Sequence, residues 1–252
     1  LLDKYNIKYI DIPFDIKKFN ELPRINTNLK KFNKLSLFDQ TSYTLKHNLY
    51  LVNNNGCRNF CISYGKENKY KWTFVLDSNS FFTKDAFNII IKNKKIKNCE
   101  YLIIPQKRLN DHKLRNKILL TKYYYNFIQK LPNNEPQIAF KNTSTKLFND
   151  NIPYGMAPKT ELLNALKVKG PWCGYLDTNN QRVGSGNYIL KKLSPSINVR
   201  KFKNTAYTTT GYIIRLSPQN NKNHKRVNGQ LRRNGVLLLI DEINKKIYNK
   251  TT

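Results

Sequence analysis

The sequence predicts an α/β fold: a mixed, mostly parallel sheet flanked by helices, with irregular N- and C-terminal extensions. Three observations carry this. Residues 72–76 (WTFVL) and 100–105 (EYLIIP) are short runs of β-branched, aromatic and aliphatic residues, the pattern of strands buried on both faces. Residues 58–70 and 83–91 space their apolar side chains helically instead. The two patterns alternate as strand, helix, strand, and a unit of this length favours parallel pairing through a right-handed crossover. One domain over residues 1–252 is expected, with its core at about 48–141 and a C-terminal extension at about 142–252.

In chain order, residues 1–38 read as an irregular arm with one short strand near YIDIP (9–13). Residues 48–52 alternate polar and apolar, which predicts a strand, and Asn53-Asn54-Asn55-Gly56 reads as a turn. The helix at 58–70 carries apolar side chains at Phe60, Cys61 and Tyr64, a helical spacing, with Gly65 as a weak point near its end. After the strand at 72–76 comes Asp77. In open α/β sheets, ligands sit at the carboxyl ends of strands, which gives Asp77 a functional position. The structural alternative is an Asx turn through Asp77 and Asn79 into the next helix. Thr83 caps that helix, Asp85 lies in its first turn, and Phe87, Ile90 and Ile91 form its apolar face.

Residues 100–105 form a strand closed by Pro105, and 111–131 a helix whose tyrosines at 123–125 are interleaved with lysines. That mixture suits stacking on nucleic acid, although packing is the commoner use. Residues 133–136 read as a loop and 137–140 as a strand. Pro158 opens a helix that carries Leu162, Leu163 and Leu166 inward, and Gly170-Pro171 ends it. The glycines of 182–186 lack the following helix that a phosphate loop needs. Residues 211–216 read as a strand, 217–233 as a polar, basic, mobile or partner-bound segment, and 236–247 as an amphipathic helix.

The chain has 39% hydrophobic and 12% aromatic residues, enough for a packed core. Its charge is the unusual feature: 45 Lys and Arg against 16 Asp and Glu, a net +29. Such a charge attracts polyanions, whether RNA, DNA, acidic lipid or acidic polysaccharide. The alternative is a generally solvated basic surface. Basic clusters at 92–97, 107–117 and 222–233 are spread along the chain and favour a broad contact surface. Cys57, Cys61, Cys99 and Cys173 form no CxxC pair and the histidines are scattered, so free buried thiols are expected and a structural zinc is not. No apolar run is long enough to cross a bilayer and no signal peptide is visible. The chain begins at Leu1, which allows an upstream targeting, anchoring or domain segment.

Cys57-Arg58-Asn59 followed by Trp72-Thr-Phe-Val-Leu-Asp77-Ser-Asn79 resembles the GT-A glycosyltransferase core, a Rossmann-like fold. There an Arg-Asn pair opens the helix before a strand that ends in an Asp-x-Asp motif. Residues 135–140 and 154–172 extend the likeness towards a poorly characterised GT-A-like region. The resemblance implies a sugar nucleotide as ligand and a glycan as acceptor. It implies Asp77 and Asn79 as ligands of a divalent Mn or Mg ion, and Arg58, Asn59 and Asp77 as the cofactor-binding set. Hard oxygen donors and phosphate are what such ions prefer. Arg58 would hold a phosphate or ribose oxygen, or pair with Asp77. Asn79 departs from the motif: its amide brings an oxygen but no charge. Glu135, Asp150 and Glu161 are the candidates for a catalytic base, and Glu135 leads because it lies in the resembling stretch.

A second reading follows from charge alone. It is a non-catalytic, basic, RNA-binding component of a ribonucleoprotein such as a mitochondrial ribosome. The first reading expects the secretory pathway and the second the mitochondrion.

Overall fold

Tyr101, Leu102, Ile103 and Ile104 are wholly excluded from solvent, and their strand is the centre of the fold. The computed structural model describes residues 9–109, 127–128, 130–131, 133–155, 158–168, 206–216 and 224–248. The elements are α1 (Ile16–Asn20), α2 (Leu29–Phe32), α3 (Leu37–Leu51), α4 (Asn54–Glu67), β1 (Trp72–Val75), β2 (Ser80–Phe81) and α5 (Lys84–Lys92). A 3₁₀ turn (Lys94–Asn98) follows, then β3 (Tyr101–Leu109), β4 (Asn133–Lys141), α6 (Pro158–Ala165), β5 (Tyr207–Thr209), β6 (Ile213–Leu216) and α7 (His224–Tyr248).

The sheet runs β1-β4-β3-β6-β2, with β5 also paired to β3. It is mixed and flanked by helices, as expected, but not mostly parallel. β1 with β4, β4 with β3, and β6 with β2 are antiparallel, whereas β3 with β5 and β3 with β6 are parallel. The expected parallel crossover fails at its first strand. Residues 48–52 belong to α3 and its cap, a 15-residue helix opened by Ser36, whose Oγ accepts from the Asp39 amide. The buried positions of α3 include Gln40, Thr44, His47 and Asn48, a helical stripe that is polar and so escapes a hydrophobic search.

Alternate residues of β3 feed two cores. Tyr101 and Ile103 pack with Ile62 of α4 and with Leu162, Leu163 and Leu166 of the α6 region. Leu102 and Ile104 pack with Ile90 of α5 on the opposite face. The sheet therefore carries helices on both sides, as the two-sided burial of β3 requires. β1 departs from that pattern. It pairs only with β4 among the described residues and buries Val75 alone, so WTFV is an edge strand.

Local chemistry explains the remaining shifts. The Asn53–Gly56 run is a helix cap, not a β-turn: Asn53 Oδ1 accepts from the Gly56 amide at 2.7 Å, so α4 starts at Asn54. Gly65 is a contact point, not a weakness: a Cβ there would stand 2.0 Å from Thr73 Oγ1, and its absence lets α4 lie close on β1. Thr83 caps α5 as expected, but the helix buries Ala86 and Ile90 and leaves Phe87 and Ile91 exposed. β3 runs through Pro105, where the register with β4 shifts. Ile104 to Gln106 spans two steps and the facing Gln137 to Asn134 spans three, so the additional residue lies at Glu135-Pro136. The predicted loop at 133–136 is thus the bulged start of β4.

A second layer joins α1, α3 and α7 through Phe19, Val236 and Ile240, with Tyr50 and Leu51 of α3 packed against them. α7 takes in residues 224–233 of the segment expected to be mobile or partner-bound, so that part is helical. Among the described cysteines, Cys57 and Cys61 are exposed and Cys99 is buried, against the expectation of buried thiols. Most of the predicted helix at 111–131, the glycines of 182–186, Trp172 and Cys173 lie outside the described residues. No described helix is long and apolar enough to cross a membrane.

Candidate functional site

The pairing directions fix where a site can form. β1, β3 and β6 run the same way, and β2 and β4 run against them. The carboxyl ends of three strands and the amino ends of two therefore share one sheet edge. A cavity of about 660 Å³ opens there, within the range of about 300–1,000 Å³ common for small-molecule sites. Asp77 lies on its wall, just past β1, in a turn closed by the Ser80 amide donating to the Asp77 carbonyl at 2.8 Å.

The Asp77 carboxylate is the meeting point of three cations. Arg58 Nη2 donates to Oδ1 at 3.0 Å. Arg215 Nη1 at 3.1 Å, Gln137 Nε2 at 3.1 Å and Lys159 Nζ at 3.3 Å all reach Oδ2. Burial alone would push the Asp77 carboxyl up. Lys159, the Gln137 amide, Arg58 and Arg215 outweigh it and hold the group well below the usual carboxylate range. Lys159, its side chain only 5% exposed, also donates to Gln137 Oε1 at 3.1 Å and lies 3.6 Å from Glu135 Oε1. Burial pushes the Lys159 ammonium below its ordinary value, and Glu135 and Asp77 oppose that shift.

These groups are held by neighbours. Asn55 Oδ1 accepts from Arg58 Nη1 at 2.9 Å, while its amide donates to the Asn149 carbonyl at 2.6 Å. The Phe148 ring lies 5.4 Å from the Arg58 guanidinium carbon. Asn59 and Asn48 grip the same segment from both sides. Asn59 donates to the Phe148 carbonyl and accepts from its amide, both at 3.0 Å. Asn48 does likewise with Tyr154, at 3.3 and 2.7 Å. Tyr154 and Gly155 are thereby set on the cavity wall, and Gly155 has the positive φ of 96° that favours glycine.

Of the expected site residues, the structure brings together Asp77, Arg58 and Glu135, all on the cavity. Asn59 is spent on the Phe148 backbone. Asn79 borders the cavity, but its side-chain Nδ2 donates to the Leu216 carbonyl at 2.8 Å and its backbone carbonyl accepts from the Leu216 amide at 2.9 Å, tying β2 to β6. Of the three candidate bases only Glu135 lines the cavity; Asp150 is exposed elsewhere and Glu161 is buried in α6.

Lys159, Arg215, Gln137, Arg108 and Arg232 were missed. Two of them left a signal. A lysine in the first turn of a helix opposes the helix dipole, which points to an anionic partner for Lys159. An arginine inside the otherwise apolar strand YIIRL marks Arg215.

The donor set does not fit a bare divalent cation. Both Asp77 oxygens already face cationic donors, and among the described residues the lining has five basic side chains (Arg58, Arg108, Lys159, Arg215, Arg232) against two carboxylates (Asp77, Glu135). Among the described residues, no three His, Cys, Asp or Glu side chains cluster as metal ligands. What the wall offers instead is fixed, hydrogen-bonding positive charge, the chemistry that holds phosphate. No protein-family model, curated protein or solved structure matches this chain.

Proposed function

We propose that the protein is a GT-A-like glycosyltransferase that binds a sugar nucleotide in the cavity at the carboxyl ends of β1, β3 and β6. The observation that carries this is the Asp77–Arg58 pair on the wall of a cavity rich in basic groups. The guanidinium groups serve the diphosphate. The Tyr154 side chain, its ring centroid 5.6 Å from the Arg232 guanidinium carbon, borders the same cavity and would contact the base or sugar. Glu135 is the carboxylate positioned on the wall to take a proton from an acceptor hydroxyl. A panel of nucleoside-diphosphate sugars titrated calorimetrically tests this. The expected result is saturable 1:1 binding of one donor that Arg58→Ala weakens. Absence of binding across the panel, or binding indifferent to Arg58→Ala, overturns it.

The net charge of +29, with Lys92, Lys94, Lys95 and Lys97 exposed together, supports a second reading as an RNA-binding component of a ribonucleoprotein. On that reading affinity for single-stranded RNA falls steeply with salt, with a log–log slope of about −0.7 for each phosphate neutralised. A slope near zero overturns it.

A further inference from the structure

The metal ion that the resemblance implies would have to bind where positive charge is already fixed. Asp77 Oδ2 takes three donors and Oδ1 takes one from Arg58, so a cation on this carboxylate would sit against Arg58, Lys159 and Arg215 and share Oδ1 with a guanidinium. The surrounding cations are not exhausted in the same way. A guanidinium carries five N–H donors. Arg58 gives one to Asp77 and one to Asn55, and Arg215 gives one to Asp77. Both groups line the cavity with donors to spare. Among the described residues the lining has three more basic than acidic side chains, and a diphosphate ester brings about one negative charge per phosphate. A diphosphate alone brings the described lining close to neutrality, whereas one accompanied by a divalent cation leaves the excess in place.

We infer that the ligand's diphosphate binds directly to Arg58 and Arg215 without a divalent cation, and that Asp77 is the built-in counterion that gathers these cations and is not a metal ligand. This rests on the reading of the cavity as a diphosphate site and specifies how that site works. It reverses the expected effect of one substitution. If Asp77 holds a metal, removing its charge abolishes binding. If Asp77 competes with the ligand for the same guanidinium groups, removing its charge leaves binding intact or tightens it.

The experiment uses the full chain and inorganic pyrophosphate as the probe, titrated in EDTA and again with excess Mn²⁺. Binding in EDTA is expected. Arg215→Ala should weaken it at least about tenfold, the loss of a charge-assisted contact. Asp77→Asn should bind at least as tightly as the parent chain, and Lys94→Ala, an exposed lysine of the 3₁₀ turn, should match the parent. The inference is overturned if Mn²⁺ tightens binding about tenfold or more, if folded Asp77→Asn loses binding, or if Lys94→Ala costs as much as Arg215→Ala. Should Asp77→Asn fail to fold by circular dichroism, the EDTA comparison and Arg215→Ala decide alone. Sugar nucleotides separate the two ideas. A donor that binds only with Mn²⁺ sinks the metal-free mode and keeps the transferase reading. Pyrophosphate bound in EDTA with no donor recognised does the reverse.

Discussion

Lys159 Nζ lies 3.3 Å from Asp77 Oδ2, and both side chains are largely withdrawn from water. Because the Asp77 carboxyl is held below the usual range in the folded chain, folding favours its ionised form. The resulting stabilisation is whole above the unfolded carboxyl's value of about 3.9 and fades as pH falls below it towards the folded value. Asp77→Asn should therefore cost about 3 kcal/mol at neutral pH, the low end for breaking a buried pair. The difference from the parent chain should shrink by pH 3. Urea unfolding of both proteins across pH 3–7 reads this directly, and a gap that does not narrow in acid would show that the Asp77 charge is not its source.

Gly211 turns the chain between β5 and β6 with a φ of +60°, and a Cβ there would meet Ile90 Cγ1 at 2.4 Å and the Ala86 carbonyl at 3.2 Å. Gly211→Ala adds left-handed backbone strain of about 1 kcal/mol to overpacking of about 1–3 kcal/mol. A loss of roughly 2–4 kcal/mol is expected from denaturant midpoints, with an unchanged m-value if only the folded state is affected. Stability equal to the parent chain would mean that α5 yields to the methyl group.

The parts of the fold that sequence pattern revealed are those whose cause is local. Thr83 and Asp85 announced α5, and the aliphatic run at 101–104 announced the central strand. The position of Asp77 at a strand end beside Arg58 was legible because a strand, a carboxylate and a helix lie within 20 residues. Strand direction was not legible, because β1 pairs with β4 across more than 60 residues, and nothing near Trp72 encodes that partner. α3 was hidden by its polar buried face, on which Gln40 is bonded by Arg233 from the far end of the chain. Lys159 and Arg215 reach Asp77 from 82 and 138 residues away, so only the folded sheet brings the three together.

Asn59 shows how much of the site depends on side chains imitating backbone. Its amide pairs with both the N–H and the C=O of Phe148, whose ring faces Arg58. Asn59→Ala leaves those two backbone groups without their partner at a half-buried position. A cost of about 1–3 kcal/mol is expected, together with faster amide hydrogen exchange at Phe148 and over residues 146–154. Asn59→Asp, which keeps one of the two bonds, should fall between. Unchanged exchange at Phe148 in Asn59→Ala would remove the clamp from the account of how Arg58 is positioned.

Cys57 and Cys61 stand one turn apart on α4, exposed, and both border the cavity. They make ligand binding visible without an activity assay. Burial, and then Cys57 beside it, push the Cys61 thiol up, so Cys61 should react more slowly with maleimide than an ordinary exposed thiol at neutral pH. Buried Cys99 serves as an internal reference. Pyrophosphate at ten times its Kd should slow modification of Cys57 and Cys61 about tenfold, as expected when only the unliganded fraction reacts. Peptide mass spectrometry resolves each thiol. Labelling of Cys57 and Cys61 that ignores saturating pyrophosphate would mean that the anion binds away from this wall, and the charge gathered around Asp77 would need another purpose.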